Sequence, residues 1–345
     1  MSKKYTILYM IILMTVLFAF SSCGNHNHPT PNPPPVDAYH GWTSPQITTN
    51  SPGDKILNNI AFPYEVNIRN NGAYNMTSAL ISVGTTNSLF VNPLSGIYLS
   101  DDKILSMQYL LSNSHQIVIG VNNMPGVSQA NPLGSTYSAK ITVKPLIPEV
   151  SLPQTENIFD FACMNYANSF NDPSMCISPD SYGQNKNSAC VSEPKKTYSG
   201  QGGPVGVSSV SIKVAPSGTP DYSTITVEFY ISNKGNGQVV SPKNSLSDCI
   251  SSTALKSSDF NVVHINSAKL GDTILSCSYA NPYNDYSNYQ RISYADDNNQ
   301  QQYMPFICTS QPVKLEHAYL TTLTLNFNYI YCEYIKDSFT IYPSS

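Results

Sequence analysis

The sequence predicts an all-β protein: two β-sandwiches in tandem, joined by a cysteine-containing, loop-rich module. Three observations point there. Charged residues make up only 12% of the chain, and polarity comes instead from Asn, Ser, Thr and 24 Tyr, a composition that suits strands better than helices. Apolar residues alternate with polar ones in short runs bounded by Gly, Pro and Asn, about ten residues apart, which is the pattern of sandwiches. No stretch sustains a period of 3.6.

The chain of 345 residues opens on Lys3-Lys4 and an apolar run over residues 5–20, followed by Ser21-Ser22-Cys23-Gly24. A short basic start and an apolar run of roughly 15 residues match an export signal, and the run is marginal for a permanent span, which needs about 20. The small residues before Cys23 resemble a bacterial lipobox. That resemblance implies cleavage after residue 22 and a diacylglycerol on Cys23, although Phe20 stands where leucine is usual. Residues 1–22 are therefore read as a lipoprotein-like signal peptide and the membrane as a partner through the lipid. Residues 23–41, rich in Pro and Asn, read as an extended tether. His26 and His28 within it read as polar linker rather than metal ligands.

Residues 42–150 read as the first sandwich. An alternating run over 60–68 leads to Arg69-Asn70-Asn71-Gly72, and a second run follows over 77–83, which predicts a hairpin turning at Asn-Gly. The theme returns at residues 225–240, where Asn233-Lys234-Gly235 separates two alternating runs. These two stretches resemble the immunoglobulin-like, CARDB-type adhesion domains of prokaryotic surface proteins. The resemblance implies a pair of immunoglobulin-like sandwiches and a surface role, not a substrate. Residues 207–345 read as the second sandwich. In the run 323–331 the period of two puts Leu323, Leu325, Phe327, Tyr329 and Tyr331 on a core face, with Thr324, Asn326 and Asn328 toward solvent. Between the two, residues 151–206 show no strong strand and read as a disulfide-stapled inter-domain module.

Setting Cys23 aside leaves seven cysteines: Cys163, Cys176, Cys190, Cys249, Cys277, Cys308 and Cys332. Seven cannot all pair within one chain. Cys277 and Cys308 flank one long loop and are expected to bridge its base; Cys176 is expected to pair with Cys190. Cys249 is expected to join Cys163 or Cys332, leaving one thiol free. No Cys-x2-Cys pair is present, so zinc is not expected.

The net charge of -4, with Arg69 and Arg291 the only arginines, argues against nucleic acid. No cofactor is implied. The histidines fall in no catalytic pattern and no Gly-x-Ser-x-Gly elbow is present, so an enzyme, such as a secreted hydrolase, ranks last. Asp296-Asp297-Asn298-Asn299 lacks the spacing of a calcium loop and reads as a solvated turn. Asn75-Met76-Thr77 matches a glycosylation acceptor, a weak signal. The Tyr-rich loop with Tyr283, Tyr286, Tyr289 and Tyr294 is the candidate ligand contact, because tyrosine offers rigid area with a polar tip. The expectation is an exported, lipid-anchored, non-catalytic surface protein of the cell envelope, structural or adhesive. A carbohydrate- or peptide-binding module of an envelope assembly is the alternative, with an envelope protein or glycan as partner.

Overall fold

The computed structural model describes residues 41–51, 53, 55–85, 98–99, 107–112, 116–145, 152–179, 189–251, 255–279, 288–295, 301–302 and 305–343. The fold is built on two very long strands. With the principal strands numbered in chain order, they are β1 (Gln46–Asn50), β2 (Phe62–Asn70), β3 (Met76–Thr85), β4 (Gln116–Met124) and β5 (Ser135–Val143). Then come β6 (Gln154–Ile177), β7 (Val205–Pro216), β8 (Tyr222–Asn233), β9 (Gln238–Val240) and a short helix α1 (Leu246–Ser251). The last are β10 (Val262–Leu270), β11 (Pro305–Thr309) and β12 (Tyr319–Tyr342).

β6 and β12, each of 24 residues, pair antiparallel from Gln154 opposite Ile341 to Ile177 opposite Tyr319. They form the spine of a ten-stranded central sheet in which β3 and β4 extend one side and β10 the other. One outer sheet holds β1, β2 and β5; the second holds β7, β8 and β11. Each outer sheet covers one half of the spine. Phe62 of β2 meets Phe339 of β12 at 5.8 Å between ring centroids, and Phe170 of β6 meets Phe229 of β8 at 6.3 Å. Two sandwiches therefore stand in tandem, and each borrows half of its central strands from the chain segment of the other. β3 flanks β6 over Ile158 to Met164, whereas β10 flanks β12 over Leu323 to Asn328.

This arrangement corrects the reading of residues 151–206 as a connector without strands. β6 lies inside that segment and alternates: Ile158, Asp160, Ala162, Met164, Tyr166, Asn168, Phe170 and Asp172 are all buried, and only Cys163 on the opposite face is buried as well between them. The alternation is hard to see in the sequence because three of the inward residues are polar. Each is held by a partner across the sandwich: Asp160 by Tyr64, Asn168 by the Val205 carbonyl, and Asp172 by Tyr198. In β12 the inward residues from Leu323 to Tyr331 are apolar or Tyr, and Leu323, Leu325, Phe327, Tyr329 and Tyr331 are buried as the pattern predicts.

The expected hairpin at Asn70-Asn71-Gly72 is a crossing between sheets instead. β2 lies in an outer sheet, paired with β1 and β5, while β3 lies in the central sheet, paired with β4 and β6. Asn70 makes the crossing. Its Nδ2 donates to the carbonyls of Tyr74 (2.8 Å) and Met124 (3.0 Å), and its Oδ1 accepts from Gly72 N–H (3.0 Å) and the Tyr166 hydroxyl (3.3 Å). The second copy repeats the geometry between β8 and β9: Asn233 Nδ2 donates to the Gly237 carbonyl (2.9 Å) and Gly235 N–H donates to Asn233 Oδ1 (3.0 Å). Glycine is required at both sites by close approach. A Cβ on Gly72 would lie 1.6 Å from the Tyr166 hydroxyl, and one on Gly235 would lie 2.1 Å from that of Tyr331.

Candidate functional site

A cleft of about 690 Å³ opens where the first crossing meets the second sandwich. Three segments line it: Tyr74 from the β2–β3 crossing, Ser169 to Asn171 from β6, and Thr197 to Gln201 from the approach to β7. β6 is placed to contribute because β3 leaves it at Met164; beyond that residue no described strand pairs with its second edge. The Ser169 carbonyl points out of that edge and accepts from the Tyr74 hydroxyl at 2.6 Å.

Tyr198 is the platform of the cleft. Its ring meets Phe170 edge to face at 4.8 Å, and its hydroxyl donates to Asp172 at 2.7 Å. Lys196 closes the group, 2.7 Å from the same carboxylate and 5.9 Å above the Tyr198 ring. Burial opposes ionisation of Asp172, but hydrogen bonds from Lys196, Tyr198 and Ser174 outweigh it and hold the carboxyl below its ordinary range. Burial, then the hydrogen bond to Asp172, pushes the Tyr198 phenol up, so it stays a neutral donor. The floor is fixed from below by Gln201, whose side chain donates to the Val207 carbonyl (3.0 Å) and accepts from Val207 N–H (2.7 Å). A Cβ on Gly200 would meet Gly41 O at 2.5 Å and Trp42 Cδ2 at 2.8 Å, so the single tryptophan seats this loop.

The described lining of the cleft is neutral. None of its described lining residues is an acid, a histidine, a lysine or an arginine. By contrast, Asn171, Thr197 and Ser199 turn exposed side chains toward it with no hydrogen-bond partner among the described residues. Rigid aromatic walls with spare neutral donors and acceptors can hold a ligand; without a proton-transfer pair they do not supply general acid–base chemistry.

The site expected from the sequence lies elsewhere. Tyr283 and Tyr286 fall outside the described residues, as do Cys23 and Asp296-Asp297. Tyr289 sits in a short strand, Tyr289–Arg291, beside β10, its ring 5.0 Å from His264. Tyr294 pairs in register with Gln302. Tyr289 is not among the described residues that line the cleft. No local pattern joins the cleft tyrosines, because Tyr74 and Tyr198 are 124 residues apart by their numbering, and only the β6 spine unites them.

The cysteines form three bonds among the described residues: Cys163–Cys332, Cys176–Cys190 and Cys277–Cys308. Cys277 and Cys308 face each other directly across neighbouring strands. The expected pairing of Cys249 with Cys163 or Cys332 is corrected, because these two lie opposite one another on β6 and β12 and bond to each other. Cys249, on α1, is the free thiol and is buried against that bond, the three sulfurs lying within 4.8 Å. Burial, with the carboxylates of Asp248 and Asp259 adding to it, pushes the thiol up to about 12. Two of the three sulfurs are spent in the disulfide, so the cluster does not present a thiolate metal site.

A second polar cluster lies inside the first sandwich. Tyr64 of β2 donates to both Asp160 and Asp337, and Thr49 of β1 donates to Asp337 at 2.6 Å. Asp160 is fully buried, and its Oδ1 has no hydrogen-bond partner among the described residues. Burial pushes its carboxyl up to about 7, against the hydrogen bond from Tyr64 and helped by the nearby Asp337. Glu333, four residues before Asp337 in β12, is also pushed up to about 7 by burial.

No family model matches this chain, and no curated protein matches it. Solved structures similar to part of it include a type I cohesin–dockerin complex from Clostridium thermocellum ATTC 27405. It is 12% identical with a TM-score of 0.24, covering 34% of this chain and 80% of that one. A second type I cohesin–dockerin complex from the same organism is 13% identical with a TM-score of 0.24, covering 36% and 84%. A structure described as AvmM, which catalyses macrocyclization in alchivemycin A biosynthesis, is 11% identical with a TM-score of 0.20, covering 36% and 79%. The β-sandwich assignment rests on the strand pairing above.

Proposed function

We propose that this chain is a non-catalytic, adhesive surface protein of the cell envelope, exported and held to a membrane by a lipid on Cys23. The observation that carries the reading is the spine. Two 24-residue strands run unbroken through both sandwiches and are cross-linked near their middle by Cys163–Cys332. A pull applied to one sandwich is borne by a long antiparallel ladder and a covalent bond, rather than by a flexible linker. Three disulfides agree with an oxidising, extracytoplasmic compartment. The lipobox-like Ser21-Ser22-Cys23 supports the anchor, since two or three acyl chains hold a protein stably where one does not.

Intact-mass spectrometry of membrane-extracted protein, before and after reduction, tests this. The expected species starts at Cys23, carries acyl chains and gains the hydrogens of three reduced bridges. Cells lacking the protein should attach less well to host or neighbour surfaces. A cytoplasmic, unprocessed and fully reduced protein would refute the proposal.

A further inference from the structure

We infer that the cleft is a binding site for a neutral oligosaccharide, stacked against Tyr198 and Tyr74 and hydrogen-bonded by Asn171, Thr197 and Ser199. The inference rests on the binding, non-catalytic reading above and names the ligand of that surface. Sugar rings present an apolar face of C–H groups and an equatorial rim of hydroxyls. A phenol ring takes the face, and neutral amides and hydroxyls take the rim. The cleft offers that combination at about 690 Å³, within the usual range of small-ligand sites of roughly 300–1,000 Å³.

Two features decide among ligand classes. No charged side chain lies in the described lining, and the cation beside Tyr198, Lys196, is already paired with Asp172 at 2.7 Å, so an acidic or phosphorylated ligand would find no uncommitted counterion there. An extended peptide would instead need to add to the open edge of β6, but that edge is already spent on both sides of Asn171. The Ser169 carbonyl is taken by Tyr74 and its N–H donates to Asn168 Oδ1; the Ser174 N–H donates to Asp172 Oδ1. With Ser169 and Ser174 engaged in this way and the ladder shifted between Asp172 and Met175, the edge offers no long regular row of free groups for β-addition. The platform is also pre-set. Tyr198 is held by Phe170, Asp172 and Lys196 before any ligand arrives, so little ordering is needed on binding.

The test is calorimetric titration of the full-length protein in detergent against neutral oligosaccharides (glucan, chitin and mannan fragments), with a polygalacturonate fragment as the acidic comparison. At least one neutral oligosaccharide should bind and the acidic one should not. Asn171→Ala should weaken binding roughly three- to tenfold, the range for one neutral hydrogen bond. Ser199→Trp, which fills the cleft from an exposed loop position, should abolish binding with the melting temperature unchanged. Absence of binding by every neutral oligosaccharide, preference for the acidic one, or undiminished binding by Ser199→Trp would overturn the inference. If Ser199→Trp cells still attach like wild type while the deletion does not, the glycan site fails and the adhesive reading survives. Loss of surface exposure in the wild type would refute the reading itself.

Discussion

Replacing Asp160 by Asn should stabilise the protein at pH 8 and do little at pH 4. Asp160 sits in the sandwich interior with no exposure, and its carboxyl is pushed from an ordinary 3.8 up to about 7 by burial. The folded state therefore binds a proton more tightly than the unfolded chain does. In the window between about 3.8 and about 7 the native form holds more protons, so stability falls as pH rises through it and stays low above it. One pH unit of such a difference is worth about 1.4 kcal/mol. Between pH 5 and pH 8 the wild type should lose up to about 3 kcal/mol that Asp160→Asn does not lose. Asparagine keeps the shape and an acceptor for the Tyr64 hydroxyl. It removes the buried charge and adds a donor beside Asp337. The comparison is made on thermal melts of both proteins across pH 4 to 8, where about 3 kcal/mol corresponds to several degrees. Because Glu333 titrates in the same range, the quantity to read is the difference between variant and wild type, in which its contribution cancels. A difference that stays constant with pH, or an Asp160→Asn protein less stable at pH 8, would show that Asp160 is not a buried acid in the folded state.

Two further outcomes follow from the same geometry. Asn70→Ala should cost about 3 kcal/mol, because three buried hydrogen bonds and one half-buried one lose their partner at once, whereas Asn233→Ala, half-buried with two, should cost about 1 kcal/mol; paired denaturation curves measure the ratio. Native protein at pH 7 should resist iodoacetamide, and one thiol, Cys249, should label promptly after unfolding without reductant. Rapid labelling in the native state would mean that α1 does not cover the thiol.

Much of this protein is legible in the chain. The strand period, the scarcity of charge and the punctuation by Gly, Pro and Asn determine an all-β body, because a strand's side chains alternate whatever it pairs with. The face Leu323 to Tyr331 is readable for the same reason: its inward residues are all apolar or aromatic. The sequence also shows that Asn-x-Gly occurs twice, since the residues that make a tight backbone crossing are local.

The tertiary structure decided the partners. An Asn-Gly turn serves a hairpin or a crossing between sheets equally well, and only the burial of Asn70 between Met124 and Tyr166 selects the crossing. β6 alternates with Asp160, Asn168 and Asp172 turned inward, which is tolerable only because residues far away in sequence satisfy them. Cys163 bonds Cys332 rather than Cys249 because the β6–β12 register sets the two directly opposite. The cleft exists because β3 ends its pairing with β6 at Met164 and leaves an edge for Tyr74 and Tyr198 to frame. Periodicity and composition are properties of neighbours along the chain, so the sequence alone determined them. Register, pairing and the cleft depend on contacts between residues tens to more than a hundred positions apart, whose energies no local pattern records.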